Sequence, residues 1–228
     1  MKRKAFLRAR TTEDTNLRRS QILDAARHVF LDRGIEKATL DHIAQEAGLS
    51  RSLVYLYFTD KLGVLSALSA QSAQKIFEQM LAKSAKASTG IGTIEALCEA
   101  FFTFFIDDYS DYAFFEHQLI ARSHNSNRDP SKLPFSRVEE NIFSLICNAV
   151  HQGIYDCTLS SEKSDNPIYI ASFIYGSVTG VAMIQSALFS THRATKEEVE
   201  AALSEAQRNV IHRVSHFGAV GHLDRAVQ

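Results

Sequence analysis

Residues 39–61 read TLDHIAQEAGLSRSLVYLYFTDK, a stretch with the pattern of two short amphipathic helices joined at a glycine. Leu40, Ile43, Ala44 and Ala47 repeat at helical spacing on one face. Thr39 stands just ahead of them, where its hydroxyl can accept from the first free backbone N–H groups. Gly48 follows, a residue that takes positive φ at a helix end without a Cβ clash. Ser50 can then cap a second short helix carrying Leu53, Val54 and Tyr57 inward. A small residue at the crossing (Ala44), a glycine in the turn (Gly48) and an apolar residue in the second helix (Val54) are what a helix-turn-helix requires. Such a unit lays the opening residues of its second helix in the DNA major groove, while flanking groups hold phosphate. Ser50, Arg51 and Ser52 are therefore expected at base edges. Arg51 is the strongest reader, since its fork pairs with guanine O6 and N7 at about 1–3 kcal/mol of discrimination. Thr39 belongs to the same contact set, and Tyr55, Tyr57 and Lys61 suit the phosphate backbone.

The pattern continues upstream. RRSQILDAARHVFLDRGIEKATLDHIAQEAGLS, residues 18–50, supplies another helix with Ile22, Ala25, Ala26, Val29 and Phe30 as its inner stripe and Gly34 at its end. Together with the YLYFTDK run, residues 55–61, it resembles the DNA-binding region of the TetR family of transcriptional regulators over roughly the first 65 residues. Two positions depart from that pattern. Leu53 stands where members commonly carry a small or hydroxylated residue, and Leu56 where a polar or aromatic group often meets DNA. Leu56 either touches a thymine methyl or packs.

Charge is distributed accordingly. Through residue 62 the chain has twelve Lys and Arg against eight Asp and Glu, a net +4; from residue 63 onward it has thirteen against eighteen, a net −5. Residues 1–15 form a basic arm that either lies along phosphate or a minor groove or is a solvated tail. Residues 16–62 are expected to form the DNA-binding domain, residues 63–218 a larger helical domain, and residues 219–228 a tail.

Beyond Lys61 no strand-like alternation of useful length appears, so the fold class is all-α. Asp60 caps a helix reaching about Lys86, and ASTGIG ends it. Helices are expected over 93–108, 112–124 and 135–156, with SNRDPSKLP as a loop. Residues 166–191 carry no charge across 26 positions, long enough to span a bilayer, but Ser172, Ser177, Thr179, Gln185 and Ser186 interrupt them and no basic cluster flanks them. Burial in a helical core or a dimer interface is the better reading. Thr195 and Glu198 then form a capping box. Val199, Leu203, Ala206, Val210, Val214 and Phe217 follow as a helix-packing seam. Gly176 and Gly180 permit close helix approach, and with Val199, Leu203, Ala206, Val210 and Val214 they are the expected dimer interface. The resemblance implies the same, a four-helix bundle made by the last two helices of each subunit.

Eight aromatic residues crowd into 101–115. The resemblance implies a small-molecule cavity here, lined by Phe101, Phe105, Tyr109, Phe115, Phe143 and Tyr175, with Glu116, His117, Arg122 or Gln185 orienting the polar end of a flat or greasy ligand. Ordinary core packing is the competing reading of the same stripe.

The remaining chemistry is sparse. Cys98, Cys147 and Cys157 lack paired or metal-finger spacing and read as reduced thiols of a cytoplasmic protein; the basic start is not followed by an apolar signal region. His212 and His216 have metal-binding spacing but no further ligand nearby, so neither a metal nor a cofactor is expected. No glycine-rich phosphate loop or GxSxG elbow occurs, which argues against an enzyme. The expectation is a homodimeric regulator, most simply a repressor, that binds palindromic operator DNA and leaves it when a small apolar or aromatic effector enters the second domain. A regulator whose second domain only dimerises is the alternative, and a helical enzyme or membrane-anchored sensor a more distant one.

Overall fold

The computed structural model describes residues 12–124, 134–159 and 166–216, with side chains placed for 14–120, 135–159 and 166–216. The basic arm through residue 11, the SNRDPSKLP loop apart from Pro134, the side chain of Arg122, Phe217 and the tail fall outside what is described. Nine helices and no strands occur among the described residues: α1 (Thr12–Arg33), α2 (Leu40–Glu46), α3 (Arg51–Tyr57), α4 (Lys61–Ser84), α5 (Gly90–Asp107), α6 (Tyr109–His124), α7 (Pro134–Tyr155), α8 (Pro167–Ser190) and α9 (Lys196–Ser215). The chain forms two compact units that meet within α4, at residues 69 and 70.

In the first unit, Ile22, Ala25, Ala26, Val29 and Phe30 are buried along α1, as their spacing requires. Gly34 and Gly48 both adopt positive φ, 75° and 62°, and each ends its helix by turning the chain left-handed. The Thr39 hydroxyl accepts from the His42 N–H at 3.2 Å and the Ser50 hydroxyl from the Leu53 N–H at 3.3 Å. Asp60 caps α4 through the Gly63 N–H at 2.7 Å.

The second unit has one core, built from the end of α4 through α9. Its helix α5 begins at Gly90 rather than at Thr93, so the glycines expected to break the chain are helical. Thr89 caps it through the Gly92 N–H, while Asp156 and Thr158, beyond α7, accept from the Gly90 and Ile91 N–H groups at 2.7 and 3.1 Å. Long-range partners satisfy the helix end that local sequence left open. Helix α6 likewise starts at Tyr109, three residues before its expected start.

The α9 seam requires a correction. Val199, Leu203, Val210 and Val214 are at most 5% exposed within this single chain and belong to its core; Ala206 is packed against the same cluster. The apolar stripe is thus covered by the chain's own helices and is not on offer to a second copy. Gly176 and Gly180 differ, because a Cβ added at either would meet nothing within 4 Å. They lie on a stripe of α8 with Tyr169, Phe173 and Ile184, which are 70%, 37% and 61% exposed. The opposite side of α8, with Ile170, Ala171, Ile174, Val178 and Ala182, is core. Among the described residues α8 alone is long and apolar enough to cross a membrane by length and composition, and its inner stripe is packed in the core instead.

Candidate nucleic-acid interface and interior cavities

Helix α3 is held by its inner residue and leaves its outer face open. Val54 is fully buried, whereas Tyr55 and Leu56 are 50% and 69% exposed, and Ser50, Arg51, Ser52 and Thr39 are exposed as well. Leu53 and Tyr57 are half-buried, so only Val54 of the three expected inner residues is fully enclosed. Leu56 does not pack, which leaves its methyl groups facing outward from the reading surface. The helix is aimed by contacts not evident in sequence. Gln21 of α1 donates from Nε2 to the Ala47 carbonyl at 2.9 Å, clipping the turn, and the Arg19 guanidinium lies 4.5 Å above the Phe58 ring centre.

Both cationic contact residues are already engaged. Arg51 forms an ion pair with Asp41 of α2. Both side chains are substantially exposed, so the pair is worth about 0–1 kcal/mol and is readily exchanged for a base edge. Lys61 donates from Nζ to the carbonyls of Ile35 and Glu36 at 2.6 and 2.9 Å. Its ammonium ties the start of α4 to the turn after α1, a structural role that the phosphate assignment missed. Replacing Lys61 with Met is expected to cost the unit about 1–3 kcal/mol, read as a lower melting temperature without DNA. An unchanged melt would return Lys61 to a purely phosphate-binding role.

The aromatic cluster is largely solid. Phe101, Phe105, Tyr112 and Phe115 are at most 2% exposed, and their rings meet edge-on or tilted with centres 4.6–6.3 Å apart. Phe105 and Phe115 are therefore packing residues. The Tyr112 hydroxyl is buried without a partner among the described residues. Burial pushes its pKa well above the usual range, and the nearby Glu116, Tyr109 and Tyr175 add to the effect. The Glu116 carboxyl is also raised by burial, while a 2.8 Å bond donated by the Ser186 hydroxyl opposes the shift. The Tyr109 hydroxyl donates to the Ser186 carbonyl at 3.2 Å. His117 is half-buried on α6.

Openings among the described residues of this unit include three around the core. Tyr109 and Phe189 flank an open groove of about 530 Å³ at the turn between α8 and α9. A second groove, about 280 Å³, lies on α7 and α8 and is lined by Ser136, Glu139, Glu140, Phe143, Ser144 and Tyr175. The third is an apolar chamber of about 20 Å³ walled by Met80 of α4, Leu97 and Phe101 of α5, Ile146 of α7 and Tyr175 and Val178 of α8. Of the expected ligand residues, Phe101 and Tyr175 reach the chamber and Phe143 and Tyr175 the second groove. Tyr109 faces the first groove, away from them. No group of three potential metal ligands occurs among the described residues; His212 and His216 stack on each other, ring centres 5.0 Å apart.

Comparison with known proteins bears on both units. Residues 22–68 match the family model for bacterial regulatory proteins of the tetR family. The HTH-type transcriptional regulator SrpR of Pseudomonas putida is 44% identical over 61 residues, which are 27% of this chain and 29% of SrpR. The HTH-type transcriptional activator FasR of Mycolicibacterium smegmatis is 32% identical over 105 residues, 46% of this chain and 48% of FasR. The chain thus spans less than half the length of these curated relatives. Among solved structures, the transcriptional regulator FadR from Bacillus subtilis in complex with stearoyl-CoA superimposes with a TM-score of 0.67. That match covers 84% of this chain and 97% of FadR at 16% identity, and it establishes a shared fold through both units.

Proposed function

Because the chain belongs to the tetR family of bacterial regulatory proteins, we propose that it represses transcription by binding palindromic operator DNA as a homodimer and leaves that DNA when a small, largely apolar effector enters its second unit. The observation that carries this reading is the exposed face of α3, where Ser50, Arg51, Ser52, Tyr55 and Leu56 stand open on a helix capped by the Ser50 hydroxyl and anchored by the buried Val54. Pairing follows from the uncovered α8 stripe, since contiguous apolar surface rimmed by polar residues favours association. Helix α4 is the covalent link along which an effector in the second unit alters the spacing of two reading heads.

The effector reading draws on the fold shared with FadR, which was solved with stearoyl-CoA. A specific observation supports the alternative of a dimerising unit without an effector, namely the tight aromatic core and its 20 Å³ chamber. Compound screening against a protein–operator complex separates the two. Release by a compound that binds the protein stoichiometrically supports the effector reading, and a complex indifferent to every such compound contradicts it. In the same assay, Arg51→Ala is expected to relax base preference at one position by about 1–3 kcal/mol. Leu56→Ala is expected to weaken the selected operator more than a scrambled one. Parent-like binding by both variants would show that α3 is docked wrongly.

A further inference from the structure

The chamber and the α7–α8 groove have one lining residue in common, Tyr175. Its ring is half-buried, meets the Phe143 ring edge-on with centres 6.1 Å apart, and its hydroxyl donates to Glu139 Oε1 at 3.0 Å. On the inner side everything offered to an occupant is apolar. The Thr179 hydroxyl donates back to the Tyr175 carbonyl at 2.7 Å, and the Cys98 thiol, its pKa pushed up to about 12 by burial, stays neutral. On the outer side the character reverses. Helix α7 presents Ser136, Glu139, Glu140 and Ser144 beside the faces of Phe143 and Tyr175. Ser136 is 4% exposed, and its hydroxyl has no hydrogen-bond partner among the described residues. A buried hydroxyl left unpaired costs free energy that a ligand polar group recovers.

We propose that the groove and the chamber are two halves of one binding site for a cationic amphiphile, with Tyr175 as the gate between them. The alkyl or aryl tail passes Tyr175 into the space among Leu97, Phe101, Ile146 and Val178. The ammonium head stays in the groove, where Glu139 and Glu140 attract it, Ser136 accepts from it and the aromatic faces favour a cation. Among the described lining residues an anionic head would face two carboxylates and no basic side chain. A chamber of about 20 Å³ holds little more than one water-sized body, so the tail enters only as Tyr175 turns aside and releases Glu139. The joined space then reaches the lower end of the roughly 300–1,000 Å³ typical of small-ligand sites.

This site rests on the effector reading for its biological meaning but not for its test, which needs no DNA. Octylammonium, butylammonium and octanoate are titrated calorimetrically into the full chain at pH 7. Octylammonium is expected to bind saturably at one per chain, and butylammonium about a hundredfold more weakly, because four methylenes fewer pass the gate. Octanoate is expected to give no saturable heat. Glu140→Gln, at an exposed position that leaves the core untouched, should weaken octylammonium about tenfold. Val178→Phe, which fills the chamber, should abolish chain-length dependence if its melt shows it folded. Tyr175→Phe keeps the ring but frees it from Glu139 and should speed association. Octanoate binding as well as octylammonium, or an affinity independent of tail length in the parent protein, overturns the proposal. Octylammonium that binds as described yet leaves the operator complex intact supports the site and counts against effector release. Operator release by a compound whose binding ignores both Glu140→Gln and Val178→Phe supports effector release and overturns the site.

Discussion

Replacing Gly90 with Ala is expected to destabilise the second unit by about 3 kcal/mol or more, a drop of roughly 6–12 °C in its melting temperature. A Cβ at this position would lie 1.9 Å from the Gly153 nitrogen and 2.1 Å from its Cα. These are backbone atoms within α7, so no side chain can swing aside and the two helices must separate. Separation also breaks the bonds that Asp156 and Thr158 make to the start of α5. The Asp156 carboxyl is held below the usual carboxylate range first by the Thr158 hydroxyl; burial opposes this as the next largest effect, and the Gly90 and Thr158 N–H groups add to the lowering. Its folded pKa being the lower one, the stability it contributes is present above the unfolded value near about 3.9 and is lost as pH falls through the folded value. Asp156→Asn should therefore flatten the acid limb of the parent's stability profile. Thermal melts of Gly90→Ala and Gly180→Ala make the decisive pair, because the second substitution meets open space. Equal melts would mean that α5 and α7 do not cross at Gly90.

Gly176→Leu is expected to leave each chain folded and to prevent it from pairing. The position is exposed, a Cβ there touches nothing within 4 Å, and the residues flanking it along the α8 stripe are Tyr169, Phe173, Gly180 and Ile184. A bulky side chain fits this surface alone but keeps a second α8 from close approach. Loss of pairing removes the avidity of two linked reading heads, so operator affinity should fall about a hundredfold or more. Light scattering coupled to size exclusion gives the mass, and a melt reports folding. A Gly176→Leu chain that still elutes as a dimer places the pairing surface elsewhere. Substitutions at Leu203 would not make an equivalent test, since that side chain lies inside the chain's own core and its loss would unfold the unit before it altered pairing.

What was legible in the sequence was local. Thr39, Ser50, Asp60 and the Thr195–Glu198 box cap the helices they were expected to cap, because a cap and its N–H lie three residues apart. The inner stripe of α1 was equally plain. Gly90 read as a break because its reason for being glycine sits at Gly153, and its hydrogen-bond partner at Asp156. Spacing showed that α9 has an apolar face but not what covers it, and its own subunit does. Lys61 looked like a phosphate ligand since only the folded turn brings the Ile35 and Glu36 carbonyls to it. The dual position of Tyr175 depends on how α7 packs on α8, which no spacing rule contains. Phe105 and Phe115 show the opposite limit, being correctly apolar but too tightly packed to line a cavity.

Selection of bound sequences from a random duplex pool shows whether α3 of two paired chains reads DNA. The expected product is an inverted repeat whose half-sites are centred about 34–36 Å apart, or a multiple of that spacing. One base position in each half-site is expected to lose its preference when the selection is repeated with Arg51→Ala. Enrichment of no sequence, or of one without internal symmetry and unaffected by Arg51→Ala, would contradict DNA reading by paired α3 helices.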